Sequence, residues 1–324
     1  MKLTHAFSIR YRVAAFLLCL MALIAAPSRN VHAGDGEPLK IALLPILDAF
    51  PFYVAQASGY FQKEGVKVKA LSVGSGLERD QLMQAGEIDG MLNEIMSSAS
   101  FNRQTTRVKI ILTARKAFPD YPLFRVLSAP GSGIDSPAEL AGQSIGIAKN
   151  TIIEYVTDRV LAEAGLPADR FNKQSIPVIP ERYQLLMQGR IKAATLPDPL
   201  AKSAMVAGAG LVVDDASYPR YSVSVLTFKL KSLTQRPEDI RRFLKAWDRA
   251  AADINAAPND HRNLLLAKIR VPQNVQQNFK IPPYPRKEVP DSNQWKDVMD
   301  WMLAKGLLTQ ALPYEDSVVT RFLP

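Results

Sequence analysis

The sequence predicts an α/β fold built from two consecutive units. Short apolar runs of strand length alternate with helical patterns, which is typical of mainly parallel sheets covered by helices. The alternation runs once through the first part of the chain and restarts near Pro130. About 290 residues follow a predicted cleavage site, and this length fits two units of ordinary size better than one large domain.

The first unit contains four predicted strands and two predicted helices. The strands are residues 39–45, 66–73, 88–92 and 108–114, and the helices are residues 52–64 and 77–85. Gly65 and Gly86 follow the two helices directly, and glycine is the residue that most often ends a helix.

The second unit opens with two capping boxes, which mark helix starts. Ser136–Glu139 begins a short helix with Pro137 in its first turn, and Thr151–Glu154 begins a longer helix. Strands are predicted at residues 144–148, 175–179, 193–196 and 211–213. Residues 82–90 resemble residues 186–193, because each segment joins a helix end, a glycine and a strand start. This weak repeat supports two equivalent units.

The last third of the chain is predicted to be mainly helical and structural. Residues 237–254 carry one apolar stripe, so we assign Trp247 on that stripe to the core rather than to a ligand. Residues 281–285 contain three prolines and predict an extended connector. Residues 293–305 predict a final helix that Gly306 closes.

The N-terminus predicts export to the periplasm. Lys2, Arg10 and Arg12 precede an apolar run over residues 13–26, which is short for a membrane span. The segment that ends at Ala33 has the small residues that a signal peptidase accepts. We therefore expect residues 1–33 to be a cleaved signal peptide, with Cys19 a part of it.

The composition argues against several classes of function. Residues 1–33 hold four of the 40 basic residues and no acidic residue, so cleavage lowers the net charge from +9 to +5. No basic block indicates nucleic-acid binding. The single Cys and two of the three His also lie in that segment, leaving His261 alone. We therefore expect no disulfide, no Cys/His metal site, no cofactor and no enzyme activity.

Several segments resemble one family over nearly the whole mature chain. They are residues 50–55, 59–68, 86–90, 136–146, 301–308, 314–316 and 322–324, with Gly59-Tyr60-Phe61-Gln62-Lys63-Glu64-Gly65 as the most specific. In order, they resemble the nitrate, sulfonate and thiamine-pyrimidine type of ABC-transporter substrate-binding proteins.

The resemblance implies a two-lobe periplasmic-binding-protein fold of type II with a hinged cleft. Lobe 1 would be discontinuous, comprising residues 34–125 and 222–324, and lobe 2 would comprise residues 126–221. A monomer would capture a small molecule by hinge closure and deliver it to an ABC permease in the inner membrane. A sensor that presents its ligand to a receptor remains open. A pyrimidine-forming synthase is disfavoured, because its histidine and cysteine-rich motif are missing here.

Candidate ligand-binding residues come from the carboxyl ends of the predicted strands, where open α/β sheets bind ligands. They are Asp48, Phe50, Ser75, Gly76, Asn93, Glu94, Arg115, Asn150, Thr151, Glu154 and Asp198. Phe50 would stack on a planar ligand or else pack the first helix. Ser75 would bind a ligand oxygen or simply cap a helix, and Glu154 is expected to be partly a capping residue.

The charges of these candidates favour one class of ligand. Four carboxylates would repel an anion in a site of low dielectric constant. The sequence therefore favours a ligand with N–H donors or positive charge, such as an aminopyrimidine. A sulfonate or nitrate site, built from Ser75, Asn150 and Arg115, is the alternative.

Overall fold

The computed structural model describes residues 36–324, so the predicted signal peptide lies outside the described residues. Within that range, no helix combines the length and the apolar character that a membrane span requires.

Ten strands form two five-stranded sheets. The strands are β1 (Leu39–Leu43), β2 (Val68–Ser72), β3 (Gly90–Glu94), β4 (Val108–Lys116), β5 (Phe124–Ser128), β6 (Ser144–Ile147), β7 (Asn172–Ser175), β8 (Ala193–Pro197), β9 (Gly210–Asp214) and β10 (Val223–Lys229). The first sheet has the order β2-β1-β3-β10-β4 and the second β7-β6-β8-β5-β9. Only β10 and β5 run antiparallel to their neighbours, so the predicted, mostly parallel α/β fold is confirmed.

Helices flank both sheets. They are α1 (Phe50–Ala57), α2 (Tyr60–Lys63), α3 (Gly76–Ala85), α4 (Ile95–Phe101), α5 (Ile152–Glu163), α6 (Ile179–Met187), α7 (Leu200–Val206), α8 (Leu230–Gln235), α9 (Pro237–Ala256), α10 (Arg262–Lys268), α11 (Ser292–Ala304) and α12 (Tyr314–Ser317). Short 3-10 helices cover Leu47–Ala49, Pro137–Leu140, Asp215–Ser217, Pro219–Tyr221, Pro258–His261 and Gln273–Val275.

The two crossovers join the sheets at their carboxyl edges. The first, residues 117–123, leads from the end of β4 to the start of β5, which is antiparallel to β8 and β9. The second, residues 215–222, leads from the end of β9 to the start of β10, which is antiparallel to β3 and β4. Both edges therefore face one seam, which we call the interlobe seam.

Three differences from the predicted elements have local causes. The helix predicted over 52–64 is divided into α1 and α2, because Gly59 adopts a left-handed conformation with φ of 68°. Residues 176–179 are not a strand, since β7 ends at Ser175 and α6 begins at Ile179. The second sheet begins at Phe124, two residues before the predicted lobe boundary, because β5 pairs with β8 from that residue onward.

Trp247 lies where the stripe of α9 predicts it. Its side chain is fully buried in the core of the first lobe, in tilted contact with the ring of Phe243 at 6.1 Å between centroids. Helix α11 packs against both lobes. Its Trp295 and Met299 share a core with α4 of the first lobe and with β6 of the second.

Candidate functional site

Asp48 and Arg115 form an ion pair at the carboxyl edge of the first sheet. Asp48 follows β1 in a 3-10 helix, and Arg115 lies near the end of β4. The Arg115 Nη1 donates to Asp48 Oδ1 at 3.1 Å, and the two side chains are 3% and 11% exposed. Nη2 lies 3.5 Å from the carbonyl oxygen of Pro122 in the first crossover. The pair therefore links the candidate site to the connection between the lobes.

Glu94 is paired with Arg79, a residue that the sequence analysis missed. Arg79 lies in the first turn of α3 and is buried. Its two terminal nitrogens donate to the Glu94 carboxylate at 3.2 and 3.3 Å. Burial lowers the pKa of Arg79, but the charges and hydrogen bonds of Glu94 and Asp80 outweigh burial and raise it above its ordinary value. The positive charge of Arg79 thus compensates the negative charge of Glu94.

Asp198 on the opposite edge is paired with Arg125, which the sequence analysis also missed. Arg125 Nε and Nη2 donate to the two Asp198 oxygens at 3.1 and 3.0 Å, which is a bidentate geometry. Its Nη1 lies 3.5 Å from Asp214. Burial lowers the pKa of Arg125, and the carboxylates of Asp198 and Asp214 raise it by more, so the guanidinium stays charged.

Ser75, Gly76, Asn150 and Thr151 lie at helix starts on the two edges. The Ser75 Oγ accepts from the N–H of Glu78 at 3.2 Å, so this hydroxyl caps α3. The Thr151 Oγ1 accepts from the N–H of Ile153 at 3.2 Å and caps α5. Asn150 is exposed and has φ of 61°. The capping interpretation of Ser75 therefore describes its contacts fully.

Glu154 is fully buried and engaged by three donors. Its Oε2 accepts from the N–H of Asn150 at 2.6 Å, rather than from the N–H of Thr151 as in a capping box. Its Oε1 accepts from Lys173 at 3.3 Å and from Lys305. With no exposed surface and saturated contacts, Glu154 has a structural role in this conformation.

Phe50 and Asn93 are also buried inside the first lobe. The Phe50 ring is fully buried against the rings of Tyr284 and His261, at 6.5 Å between centroids in both cases, so it packs α1 and offers no face for stacking. Asn93 is 1% exposed; its amide donates to Ser98 at 3.0 Å and accepts from Thr227 at 2.7 Å. These contacts fix α4 on the sheet.

A small cavity opens at the interlobe seam, and its lining was not predicted. Both lobes, the second crossover and α11 contribute to it, through Ile95, Met96, Ile152, Tyr155, Arg220, Tyr221, Val223, Gln294 and Val298. Asp215 of the second crossover accepts from the N–H groups of Leu123, the last residue of the first crossover, and Phe124, the first residue of β5, both at 2.9 Å. One buried carboxylate thus holds the two crossovers together.

Arg182 differs from the paired arginines. It is fully buried on α6, where Nε and Nη1 donate to the carbonyl oxygens of Thr195 and Ile176 at 2.9 and 2.5 Å. No carboxylate within residues 36–324 lies in salt-bridge range of it, and its Nη2 has no partner there. Burial lowers the pKa of Arg182 to about 10. No sequence pattern marks it as different from the exposed arginines.

Metal ligands are not grouped within the described part of the chain. Across residues 36–324, no three His, Cys, Asp or Glu side chains come together in a way that could hold an ion.

Comparison with known proteins identifies relatives over most of the chain. The family model described as NMT1/THI5 like matches residues 47–261. A riboflavin-binding protein, RibY of Chloroflexus aurantiacus, is 23% identical over 93% of this chain and 90% of its own length.

Solved structures share the fold at lower identity. A ligand-binding component of an ABC-type import system from Staphylococcus aureus has a TM-score of 0.74, with 13% identity over 89% of this chain and 98% of that one. The periplasmic aliphatic sulphonate binding protein SsuA of Escherichia coli has a TM-score of 0.74, with 16% identity over 88% and 92%. The desulfurization enzyme DSZB is more distant, with a TM-score of 0.63 and 18% identity over 89% and 97%.

Proposed function

Because this chain belongs to the NMT1/THI5-like family, we propose that it is the periplasmic solute-binding protein of an ABC importer and that it captures a pyrimidine-like nitrogen heterocycle. Binding-protein relatives and the two-sheet fold support the first part. The second part rests on the charges at the interlobe seam. A permease in the inner membrane would take the ligand from the closed form.

The observation that supports a heterocycle is the pairing of arginine with carboxylate on both edges. Arg79 with Glu94, Arg115 with Asp48, and Arg125 with Asp198 each form an ion-paired unit. Asp80 adds a second carboxylate to the first unit and Asp214 adds one to the third, so neither unit carries excess positive charge. Each unit still offers carboxylate lone pairs, and Arg125 also keeps N–H groups beyond its three bonds to Asp198 and Asp214, whereas the N–H groups of Arg79 are all engaged. A pyrimidine edge alternates donors and acceptors in the same way, and RibY is named for a ligand that contains such a ring.

An oxyanion is the second candidate, and Arg182 is the observation that favours it. This buried guanidinium has no carboxylate partner in the described part of the chain, so its charge would attract an anion at the second sheet. The E. coli structural neighbour is named for aliphatic sulphonates. Against this candidate, Arg182 is fully buried and both of its donating nitrogens are occupied by carbonyl oxygens.

A thermal-shift panel on refolded mature protein tests the proposal. Riboflavin and 4-aminopyrimidines would be compared with an alkanesulfonate and nitrate, after refolding has removed any ligand that copurifies. A ligand at 100 times its Kd adds about 2.7 kcal/mol to the free energy of unfolding, which is a readable shift. A shift by sulfonate alone would refute the heterocycle and retain the binding protein.

Two variants connect the panel to the seam. We expect Asp198→Asn to weaken heterocycle binding at least about tenfold, because it removes one carboxylate acceptor and breaks a bidentate pair. Asp169→Asn is the matched control, since Asp169 is exposed on the same lobe. Equal affinities of the two variants would remove Asp198 from the ligand site.

A further inference from the structure

A loop of the first lobe reaches across to the second lobe at residues 271–276. Its 3-10 helix, Gln273–Val275, is held to the first lobe by Val275, which is 3% exposed in the core around α9. The Arg262 guanidinium donates to the carbonyl oxygen of Gln276 at 2.8 Å, and the Gln276 amide donates to that of Val271 at 3.1 Å. The loop is therefore braced rather than free.

Helix α7 of the second lobe receives this loop. Ala201 and Ala204 bury one face of α7 in the core of its own lobe. Its first turn is bound to the candidate site, because the N–H of Lys202 donates to Asp198 Oδ1 at 3.2 Å. A displacement of Asp198 would therefore be transmitted to the next residue of the helix, Ser203.

Ser203 and Asn274 join the two lobes by a pair of hydrogen bonds. The Ser203 hydroxyl donates to Asn274 Oδ1 at 2.8 Å, and the Asn274 amide donates to the carbonyl oxygen of Ser203 at 3.1 Å. Ser203 is 1% exposed, and its hydroxyl also lies 3.2 Å from that of Tyr183. The contact links residues 71 positions apart that neither crossover brings together.

We propose that the Ser203–Asn274 contact is a latch that holds the lobes closed and tunes ligand affinity without touching the ligand. The inference rests on the proposed function, in which lobes open and close. α7 begins at the carboxyl edge that faces the first lobe, so separating the two edges at that point must break both hydrogen bonds. Because Ser203 lies only five residues after Asp198, occupancy of the seam and closure of the latch would support each other.

Cross-linking tests the latch without any ligand. The double variant Ser203→Cys, Asn274→Cys introduces two thiols into a range, residues 36–324, that contains no other cysteine. We expect mild oxidation to form its disulfide at least about tenfold faster than in Ser203→Cys, Asn278→Cys, because contact geometry limits disulfide formation. Asn278 lies two residues beyond this loop, is exposed and makes no side-chain hydrogen bond within residues 36–324. Equal rates would refute the contact.

Small-angle scattering then tests what the contact does. Loss of two neutral hydrogen bonds shifts an equilibrium by about tenfold, so Asn274→Ala should raise the radius of gyration of the ligand-free mature chain, whereas Asn278→Ala should not. If the disulfide forms but Asn274→Ala has the same radius of gyration as Asn278→Ala, the contact exists but does not hold the lobes closed, and the proposal is refuted. A thermal-shift panel in which no ligand binds would overturn the proposed function. The cross-linking rates and the radii of gyration would still test the latch, because both are measured without ligand.

Discussion

Replacing Glu154 by glutamine removes a buried charge that joins three segments. Its carboxylate accepts from the N–H of Asn150 at the start of α5, from Lys173 on β7 and from Lys305 at the end of α11. Glutamine keeps the length and one acceptor oxygen but leaves the two ammonium groups without this anion. The change therefore measures the charge alone.

The expected loss follows from the exposure of the partners. Removing one member of a fully buried ion pair costs about 3–5 kcal/mol. Here the lysine side chains are 16% and 26% exposed, and Lys173 also pairs with Asp158, so both retain some solvation. We therefore expect Glu154→Gln to lower the free energy of unfolding by about 2–3 kcal/mol, toward or below the lower end of that range.

Urea unfolding followed by the fluorescence of the three tryptophans measures this loss. Glu181→Gln on α6 is the matched control, because Glu181 is exposed. Burial raises the pKa of Glu154, but the Asn150 N–H, Lys305 and Lys173 together lower it below its ordinary value. The carboxylate therefore stabilises the fold above the ordinary pKa of glutamate, and this contribution is lost as the pH falls through the folded-state pKa. Two variants that unfold at the same urea concentration would refute this reasoning, and lost ligand binding with unchanged stability would make Glu154 a ligand residue.

Two further variants test other parts of the fold. Burial raises the pKa of Asp215 to about 7, so the folded chain holds this proton more tightly than the unfolded chain, and the contribution of the group to stability falls as the pH rises from about 4 to about 7. In Asp215→Asn this part of the pH dependence should disappear from urea midpoints measured between pH 4 and pH 8; parallel curves for variant and wild type would contradict the assignment. Gly90→Ala would place a methyl carbon 2.8 Å from the buried Phe228 ring, so we expect a loss of about 1–3 kcal/mol in the same assay. Gly36→Ala, where the new carbon meets nothing within 4 Å, is its control, and an equally stable Gly90→Ala would show that the ring moves aside.

The sequence predicts the frame of this fold because local signals determine it. Apolar runs of strand length place β1 within two residues of its observed end, and one apolar stripe places α9 to within two residues. The error at residues 176–179 has the same origin. Ile176 lies in a loop and Ile179 at a helix start, and both are apolar because they pack on a core of the second lobe. A short apolar run alone does not distinguish these cases from a strand.

The contacts of the site depend on long-range pairing and could not be predicted in this way. Arg125 and Asp198 are 73 residues apart, and no local pattern says that β5 lies beside β8. Phe50 shows the converse case, in which a long-range contact removes a ligand contact that the sequence suggests. Its position after the first strand suggests a ligand contact, but the ring is covered by Tyr284 from the extended connector, 234 residues later in the chain.

The paired arginines also bear on the choice between the two ligand classes. An oxyanion at the seam would have to compete with Asp48, Glu94 or Asp198 for a guanidinium, and each displaced carboxylate would be left partly buried without its partner. Leaving a buried charge unpaired costs several kcal/mol, on the order of 3–5. A neutral heterocycle would instead bind to carboxylate lone pairs that the ion pairs leave free, and it would not have to break any of the pairs. The same energetic argument predicts a weak dependence of heterocycle affinity on salt, because no net charge is neutralised on binding, and a steep one for a sulfonate. Affinities measured at low and high salt therefore separate the two classes even where both bind.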